Sequence, residues 1–263
     1  MITAIIQARM GSVRLANKVM LDIAGHPMLW HVINRVGQAE TIDQVIVATG
    51  YSKENKQIVK LAREAGVKSF VGSENDVLDR YYQAAKNNEV AVIVRITGDC
   101  PLIDPRIIDE TVRYFLENEF DYVSTAHITK DEVISSYPDG LDVEVFSITA
   151  LEKAWQGARL PSEREHVTPY IWKHPHLFKV RGLESDKDFS SLRWTVDKEK
   201  DLEFVREVYK RMGFGKKMFY MENVLELLAR EPQLANINRS IKRDEGYFKS
   251  LKTDKQNGRG NNH

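Results

Sequence analysis

The first half of the chain alternates short β-branched runs with longer amphipathic segments, and this alternation limits the possible folds. Leu29, Val32, Ile33 and Val36 show the i, i+3, i+4, i+7 spacing of one helix face. Strand-length runs separated by helix-length segments are typical of a parallel sheet with crossover helices. The sequence therefore predicts an α/β fold, with a mostly parallel central sheet flanked by helices.

The predicted elements follow from these patterns. The predicted strands are Thr3–Gln7, Gln44–Ala48, Lys68–Val71, Ala91–Thr97, Tyr122–Ala126, Leu141–Phe146 and Leu192–Val196. The predicted helices are Pro27–Gln38, Glu54–Ala65, Asp76–Asn87, Pro105–Asn118, Thr149–Ala158, Ser162–Trp172, Lys198–Arg211 and Met221–Arg230. Asp104 before Pro105 marks a helix start, because aspartate accepts free N–H groups and proline lacks one.

The 263 residues allow one large domain or two small ones. We predict one main domain over residues 1–241, with an insertion around 127–190 where the strand and helix rhythm changes. Residues 242–263 are polar and rich in Gly, Asn and Lys, so we predict a disordered tail there.

Composition excludes several classes of protein. The chain has 38 Lys and Arg against 38 Asp and Glu, which disfavours bulk binding to nucleic acid or anionic membrane. One cysteine, Cys100, excludes a disulfide framework and a zinc site of several thiolates, and it has no evident His partner. The apolar runs fall far short of the ~20 residues that span a bilayer, and we see no signal peptide. We expect a cytoplasmic protein with no membrane insertion and a buried, inert thiol.

A loop with three cations follows the first predicted strand: Arg9, Arg14 and Lys18, with Gly11 and Ser12 between them. Ligands of open α/β sheets bind at this carboxyl edge. The cations and the backbone N–H groups of Gly11 and Ser12 suit a triphosphate or pyrophosphate. A solvated basic loop is the alternative.

Two aspartates follow other predicted strands. Asp99 comes directly after Gly98, and Asp197 precedes a charged helix. Asp99 could be a turn residue and Asp197 a helix cap. Together, two carboxylates from separate strand ends are what a Mg²⁺ with few protein ligands requires.

Six segments together resemble a known family. They read QARMGSVRLANKVMLDIAGHPMLWHVINRV, GSENDVLDRYYQAA, TGDCPLID, YPDGLDVEVF, SEREHVTPY and RWTVDKEKDLEFV. In this order, over roughly residues 1–212, they resemble the cytidylyltransferase superfamily that activates sugar acids, most of all its spore-coat polysaccharide biosynthesis branch. The resemblance implies a GT-A-like (Rossmann-like) nucleotide-diphospho-sugar transferase fold, CTP, Mg²⁺ and a homodimer. It also implies transfer of CMP to a sugar or sugar acid with release of pyrophosphate, for cell-surface or spore-coat polysaccharide.

The resemblance also assigns roles by position. Arg9, Arg14 and Lys18 would neutralise the triphosphate, and Asp99 and Asp197 would bind the metal. The other nucleotide contacts would come from Ala8, Gly11, Ser12, Arg80 and Thr97, with Ala8 and Arg80 near the cytosine. The acceptor would meet Asp142, Glu144, Glu165 and His166. Asp142 and Glu144 alternate on a predicted strand, so a solvated strand face is the alternative, and His166 could be a structural histidine.

Two departures from the family pattern stand out. The family loop commonly reads Arg-Leu-Pro-Gly-Lys, whereas Ala16 and Asn17 replace the Pro-Gly pair here. Thr97 stands where the sugar-acid synthetases tend to carry Gln. Three rival functions stay open: a GT-A glycosyltransferase, transfer from another nucleoside triphosphate, and an inactive nucleotide-binding paralogue.

Overall fold

The computed structural model describes residues 1–128, 133–213, 217–243 and 245–259. Strands β1 to β11 are Ile2–Gln7, Asp22–Ile23, His26–Pro27, Gln44–Gly50, Lys68–Gly72, Val92–Thr97, Tyr122–Ser124, His127–Ile128, Val133–Ile134, Glu144–Ser147 and Val180–Gly182. Helices α1 to α10 are Met28–Val36, Lys56–Glu64, Val77–Asn87, Pro105–Glu117, Ile148–Gly157, Pro161–His166, Pro169–Lys173, Glu199–Met212, Met221–Arg230 and Glu245–Arg259. Short 3-10 helices span Lys18–Met20, Lys53–Asn55 and Pro232–Asn236.

Seven strands form the central sheet in the order β11-β7-β10-β6-β1-β4-β5. β10 pairs antiparallel with β6 and β7, and the other pairs of this sheet are parallel. Helices cover both faces: Ala4 and Ile6 of β1 pack in one apolar cluster, and Ile5 packs in the other. A strand buried on both faces needs a continuous apolar run, which β1 has. The predicted α/β fold with a mostly parallel sheet is confirmed.

The two central strands place their following loops side by side. Gln7, the last residue of β1, lies opposite Thr97, the last residue of β6. The loop with the three cations follows Gln7, and Gly98 and Asp99 follow Thr97. Asp104 caps α4 by accepting the N–H of Arg106 at 2.8 Å, as predicted. None of the described helices combines the length and apolar character needed to cross a lipid bilayer.

The predicted strand Leu192–Val196 is wrong. The structure has a single bridge there, between Arg193 and Asp139. The segment does not pair with a neighbouring strand but with the backbone of two loops. The Trp194 N–H donates to the Asp139 carbonyl, and the Val196 N–H donates to the Asp99 carbonyl. Gly140 permits this close approach, because a Cβ there would lie 2.5 Å from the Thr195 nitrogen.

Two other predicted elements have different bounds. The predicted helix Ser162–Trp172 is broken into α6 and α7, since Val167 has a φ of 72° and Pro169 begins the second helix. The predicted strand Leu141–Phe146 starts only at Glu144, as β10. Asp142 is therefore outside the strand, and its alternation with Glu144 on one strand is not observed.

The C-terminal segment differs from the predicted disordered tail, because α10 spans Glu245–Arg259. Polar contacts fix it on α6: Asp254 accepts the N–H of Ser162 at 3.0 Å, and the Ser250 hydroxyl is 2.7 Å from the Glu165 carboxylate. Such contacts depend on the folded partner, so composition did not indicate them. Residues 260–263 lie outside the described residues, and the boundaries 1–241 and 127–190 stay predictions.

Candidate active site

Near its end, the loop with the three cations turns at Asn17. Asn17 has a φ of 53°, in the left-handed region that asparagine tolerates better than most residues. It begins the short 3-10 helix Lys18–Met20, which buries the Lys18 side chain. Asn17 stands where the family loop commonly has glycine, and its left-handed conformation is one that glycine adopts readily.

The Lys18 ammonium lies between the two predicted metal ligands. Its Nζ is 2.6 Å from Asp99 Oδ2, 2.6 Å from Asp197 Oδ1 and 3.0 Å from the Val196 carbonyl oxygen. The Lys18 side chain is 10% exposed. The structure therefore brings together three of the residues that the sequence analysis selected.

Asp197 reaches this position through the segment that precedes α8. The Val196 N–H donates to the Asp99 carbonyl at 2.8 Å, which fixes the two aspartates next to each other. Asp201 performs the capping that Asp197 could have performed: its carboxylate accepts the N–H groups of Asp197 and Lys198, both at 3.0 Å. The Asp197 side chain instead contacts cations.

Two arginines complete the charge distribution around Asp197. Arg14 donates to Asp197 Oδ1 at 2.5 Å, and Arg193 donates to Asp197 Oδ2 at 3.1 Å. Arg193 also binds Asp139 at 2.5 Å and Asp201 at 3.0 Å. Sequence reasoning missed Arg193, because its role depends on residues distant in the chain.

The charges control the protonation of this cluster. Burial by itself would raise the pKa of Asp99, but the Lys18 ammonium lowers it to about 2. Burial would lower the pKa of Lys18, yet Asp99 and Asp197 raise it. Both groups are thus charged near neutral pH. Burial raises the pKa of the neighbouring Cys100 well above its ordinary value, so this buried thiol is protonated.

The two residues predicted to lie near the base, Ala8 and Arg80, each donate to a backbone carbonyl. Ala8 is buried beside β4, with its N–H donating to the Ala48 carbonyl. Arg80 is buried and binds the Ser73 carbonyl at 2.9 Å, while its Nε has no hydrogen-bond partner among the described residues. Burial lowers the pKa of Arg80. Thr97 Oγ1 lies 3.1 Å from Cys100 Sγ.

The middle of the loop is only partly open to a ligand. The Ser12 N–H, which the sequence analysis expected to be available to phosphate, donates to the Met10 carbonyl at 2.8 Å. A Cβ at Gly11 would meet nothing within 4 Å, so a ligand can approach that residue freely. Arg9 is half exposed and lies 4.0 Å from the Glu165 carboxylate.

The predicted acceptor residues divide into two kinds. Glu144 is bound by protein donors: the Arg95 guanidinium, the Tyr122 hydroxyl at 2.6 Å and the Thr168 hydroxyl at 2.5 Å. Asp142 accepts from Gly140 N–H and from Arg243. Glu165 and His166 lie on α6, where Glu165 is 4.0 Å from Arg9. Glu144 lies near this pair, because Thr168, two residues after His166, donates to it, and its charge opposes the burial that lowers the pKa of His166.

The helix α10 extends the site beyond the residues found by sequence. Ser250 is buried between Glu165 and His166, with its hydroxyl 3.0 Å from the His166 ring Nε2. Glu245 pairs with Lys198 at 2.8 Å, directly after Asp197. The absence of an apolar pattern hid this helix from sequence analysis.

Asn55 is a further residue that the sequence did not indicate. It is buried, accepts the Met10 N–H at 2.9 Å and donates to the Gly50 carbonyl at 3.1 Å, so it anchors the loop backbone to the end of β4. If the loop binds the CTP that the family resemblance implies, Asn55→Ala is expected to raise the KM for CTP about tenfold, the equivalent of one lost buried hydrogen bond. Steady-state kinetics test this, with the exposed Asn118→Ala as the control. Equal KM values in both variants would contradict the anchoring role.

His166 predicts a dependence of stability on pH. Burial lowers its pKa from 6.5 to about 4, with Glu165 and Ser250 facing the ring, and burial lowers His31 similarly. As the pH falls, these histidines bind protons in the unfolded chain before they do so in the folded protein. Their contribution to the free energy of unfolding is therefore complete above pH 6.5 and is lost as the pH falls toward 4. Each histidine should remove about 2 kcal/mol between pH 7.5 and 5. His166→Gln should remove its share, which is about half of the combined loss from the two histidines, as measured by denaturant titrations at pH 7.5 and 5. An unchanged combined loss would contradict the buried, neutral state of His166.

The two carboxylates fit a magnesium ion that relies mainly on its substrate. Within the described residues, no group of three or more His, Cys, Asp or Glu side chains could hold a metal. Mg²⁺ typically uses one or two carboxylates, with phosphate oxygens and waters completing its shell. Asp99 and Asp197 already converge on one cationic group, the Lys18 ammonium, and offer the oxygen ligands that Mg²⁺ prefers.

The chain is similar to known proteins over most of its length. The family model described as Cytidylyltransferase matches residues 3–228. The uncharacterized protein MJ1063 of Methanocaldococcus jannaschii is 43% identical over 92% of this chain and 96% of its own length. The spore coat polysaccharide biosynthesis protein SpsF of Bacillus subtilis is 32% identical over 88% of this chain and 95% of its own. The structure of a cytidylyltransferase from Leptospira borgpetersenii has a TM-score of 0.83 and 32% identity, covering 92% of this chain and 99% of that one.

The mostly parallel seven-stranded sheet with its flanking helices, taken together with these matches, shows an α/β nucleotidyltransferase. The matched span of residues 3–228 makes the particular family plain. The chain belongs to the cytidylyltransferase family.

Proposed function

We propose that this protein transfers CMP from CTP to a sugar or sugar acid and releases pyrophosphate, for a cell-surface or spore-coat polysaccharide. The observation that carries this proposal is the convergence of Lys18, Asp99 and Asp197 beside the loop with three cations. Family membership supports CTP as the donor, and the likeness to the protein SpsF supports a polysaccharide precursor as the acceptor.

The proposed reaction is an in-line displacement. A hydroxyl of the acceptor, or the anomeric oxygen next to its carboxyl, forms a bond to the α-phosphorus of CTP. The bond from this phosphorus to the oxygen bridging to the β-phosphate breaks, the electron pair leaves with pyrophosphate, and the acceptor proton passes to water. The protein supplies positioning and electrostatic stabilisation.

In this reaction, Arg9, Arg14 and Lys18 bind the phosphates and stabilise the charge that develops on pyrophosphate. Asp99 and Asp197 would hold Mg²⁺, which neutralises phosphate charge when bound. Ala8 and Arg80 contact the base, while Gly11, Ser12 and Thr97 lie along the nucleotide. Glu165 and His166 lie toward the acceptor. Glu144 orients Arg95 through its ion pair, and Asp142 orients Arg243.

The test is pyrophosphate release with each of the four nucleoside triphosphates, Mg²⁺ and a panel of acidic and neutral sugars. Release with CTP alone, dependent on a sugar, supports the proposal and begins to identify the acceptor. Pyrophosphate release with another nucleoside triphosphate would show that the donor is not CTP. Consumption of a nucleotide sugar with release of a nucleoside diphosphate shows a glycosyltransferase, and nucleotide binding without any turnover indicates an inactive paralogue.

A homodimer and a cytoplasmic location are part of the same proposal: the homodimer rests on the family resemblance, and the location rests on the single cysteine. α6 and α7 are the helices that we propose for a two-fold interface. Sedimentation at micromolar concentration tests this, because a sedimentation coefficient of one chain would contradict the dimer.

A further inference from the structure

The Lys18 ammonium has a protein acceptor for each of its three N–H donors. An ammonium has three N–H donors and no acceptor. Lys18 uses these donors on Asp99, Asp197 and the Val196 carbonyl, at distances of 2.6 to 3.0 Å. The side chain is buried rather than extended into solvent. It is therefore held by the two carboxylates and not free to meet a phosphate.

Protein cations already contact three of the four carboxylate oxygens of Asp99 and Asp197. Asp197 Oδ1 accepts from both Lys18 and Arg14, and Asp197 Oδ2 accepts from Arg193. Asp99 Oδ2 accepts from Lys18. A divalent ion could bind both aspartates only after the ammonium had moved, because the two cations would compete for the same oxygens and repel each other.

We propose that Lys18 occupies the divalent-metal site of the nucleotide-free protein, so that the metal binds only together with a nucleotide. This inference rests on the proposed function for the identity of the nucleotide. A triphosphate offers the ammonium oxygens of equal acceptor strength and brings negative charge to the loop. Lys18 then moves from the carboxylates to the phosphates. This movement frees Asp99 and Asp197 to bind the metal when phosphate oxygens can complete its coordination.

Binding of Mn²⁺, followed by electron paramagnetic resonance of the free ion, tests the inference on the whole chain without a nucleotide. The wild type is expected to show no saturable binding below millimolar Mn²⁺. Lys18→Met and Lys18→Gln should bind one Mn²⁺ at least tenfold more tightly. The control is Lys60→Met, which removes an exposed lysine that pairs only with Glu64 on the surface of α2 and should behave as the wild type.

A second change locates the ion. Adding Asp99→Asn to Lys18→Met should abolish the gain in Mn²⁺ affinity, because one of the freed carboxylates is lost. The inference is overturned if the wild type binds Mn²⁺ as tightly as Lys18→Met, or if the gain survives Asp99→Asn. Circular dichroism and thermal melting confirm that each variant is folded, and Lys18→Gln, which keeps polar N–H groups, replaces Lys18→Met if the latter is not.

The nucleotide arm separates this inference from the proposed function. Because CTP binds Mn²⁺ by itself, each titration is repeated with CTP and no protein, and that loss of free ion is subtracted. After this correction, CTP should raise the Mn²⁺ affinity of the wild type at least tenfold, and should do so much less in Lys18→Met, whose site is already free. If CTP has no effect while Lys18→Met still gains affinity, the choice of nucleotide fails and the role of Lys18 stands. If CTP raises the affinity but Lys18→Met gains none, the role of Lys18 fails and the nucleotide assignment stands.

Discussion

Asp99→Asn is expected to lower the rate of pyrophosphate release about 100-fold or more, comparable to the loss of an electrostatic catalytic group. The substitution keeps the shape of the side chain and removes its charge. Asp99 is one of the two carboxylates that converge on Lys18, and its charge persists to a pKa of about 2. Steady-state pyrophosphate release with CTP and the active sugar measures the effect.

The control for this variant is Asp43→Asn. Asp43 also carries a carboxylate that accepts a backbone N–H, from Ile2 at 2.7 Å, but it lies where β1 begins, at the opposite edge of the sheet. Asp43→Asn should keep its activity within a few-fold of the wild type. Activity of Asp99→Asn in the same range, with an unchanged melting temperature, would remove Asp99 from the catalytic machinery.

Arg193→Met is expected to lower the free energy of unfolding by about 3–5 kcal/mol, the usual cost of leaving buried charges without their partner. Arg193 is 7% exposed and binds three carboxylates: Asp139, Asp197 and the fully buried Asp201. Methionine fills much of the volume but neutralises none of these charges. Urea titration at pH 7.5 measures the loss as a shift of the midpoint at constant slope.

Arg113→Met is the matched control for this effect. Arg113 pairs with Glu40 on the surface, where both side chains are more than half exposed. Its loss should cost at most about 1 kcal/mol, the ordinary range of an exposed ion pair. If Arg193→Met costs no more than Arg113→Met, the buried cluster does not stabilise the fold as its geometry indicates.

The sequence indicated those parts of the site that follow directly from strand order. β1 and β6 are apolar runs of strand length, and their neighbouring position brings the loop with three cations next to Asp99. The helix start at Asp104 could be predicted because the capping by Asp104 and the proline at the first helical position both depend only on neighbouring residues. The cations, Asp99 and the α/β fold therefore needed no tertiary information.

Other parts depend on contacts between distant segments. Asp197 reaches Asp99 through a segment that is not a strand, and that segment needs the positive φ of Gly140. The Glu144 carboxylate is bound by Arg95 and Thr168, and no local sequence pattern connects these residues to it. In such cases the residue type is visible in the sequence, whereas the partner is decided by packing.

The docking of α10 has a practical consequence for protein engineering. The helix α10 contacts Glu165, His166 and Lys198, so a fusion partner or affinity tag attached after it lies near the residues that we propose for the acceptor. The N-terminus is different, because the Met1 carbonyl accepts N–H groups where β6 begins, at the far edge of the sheet. Tags are therefore best placed at the N-terminus, and exchange of α10 between relatives would change the surroundings of the proposed acceptor residues.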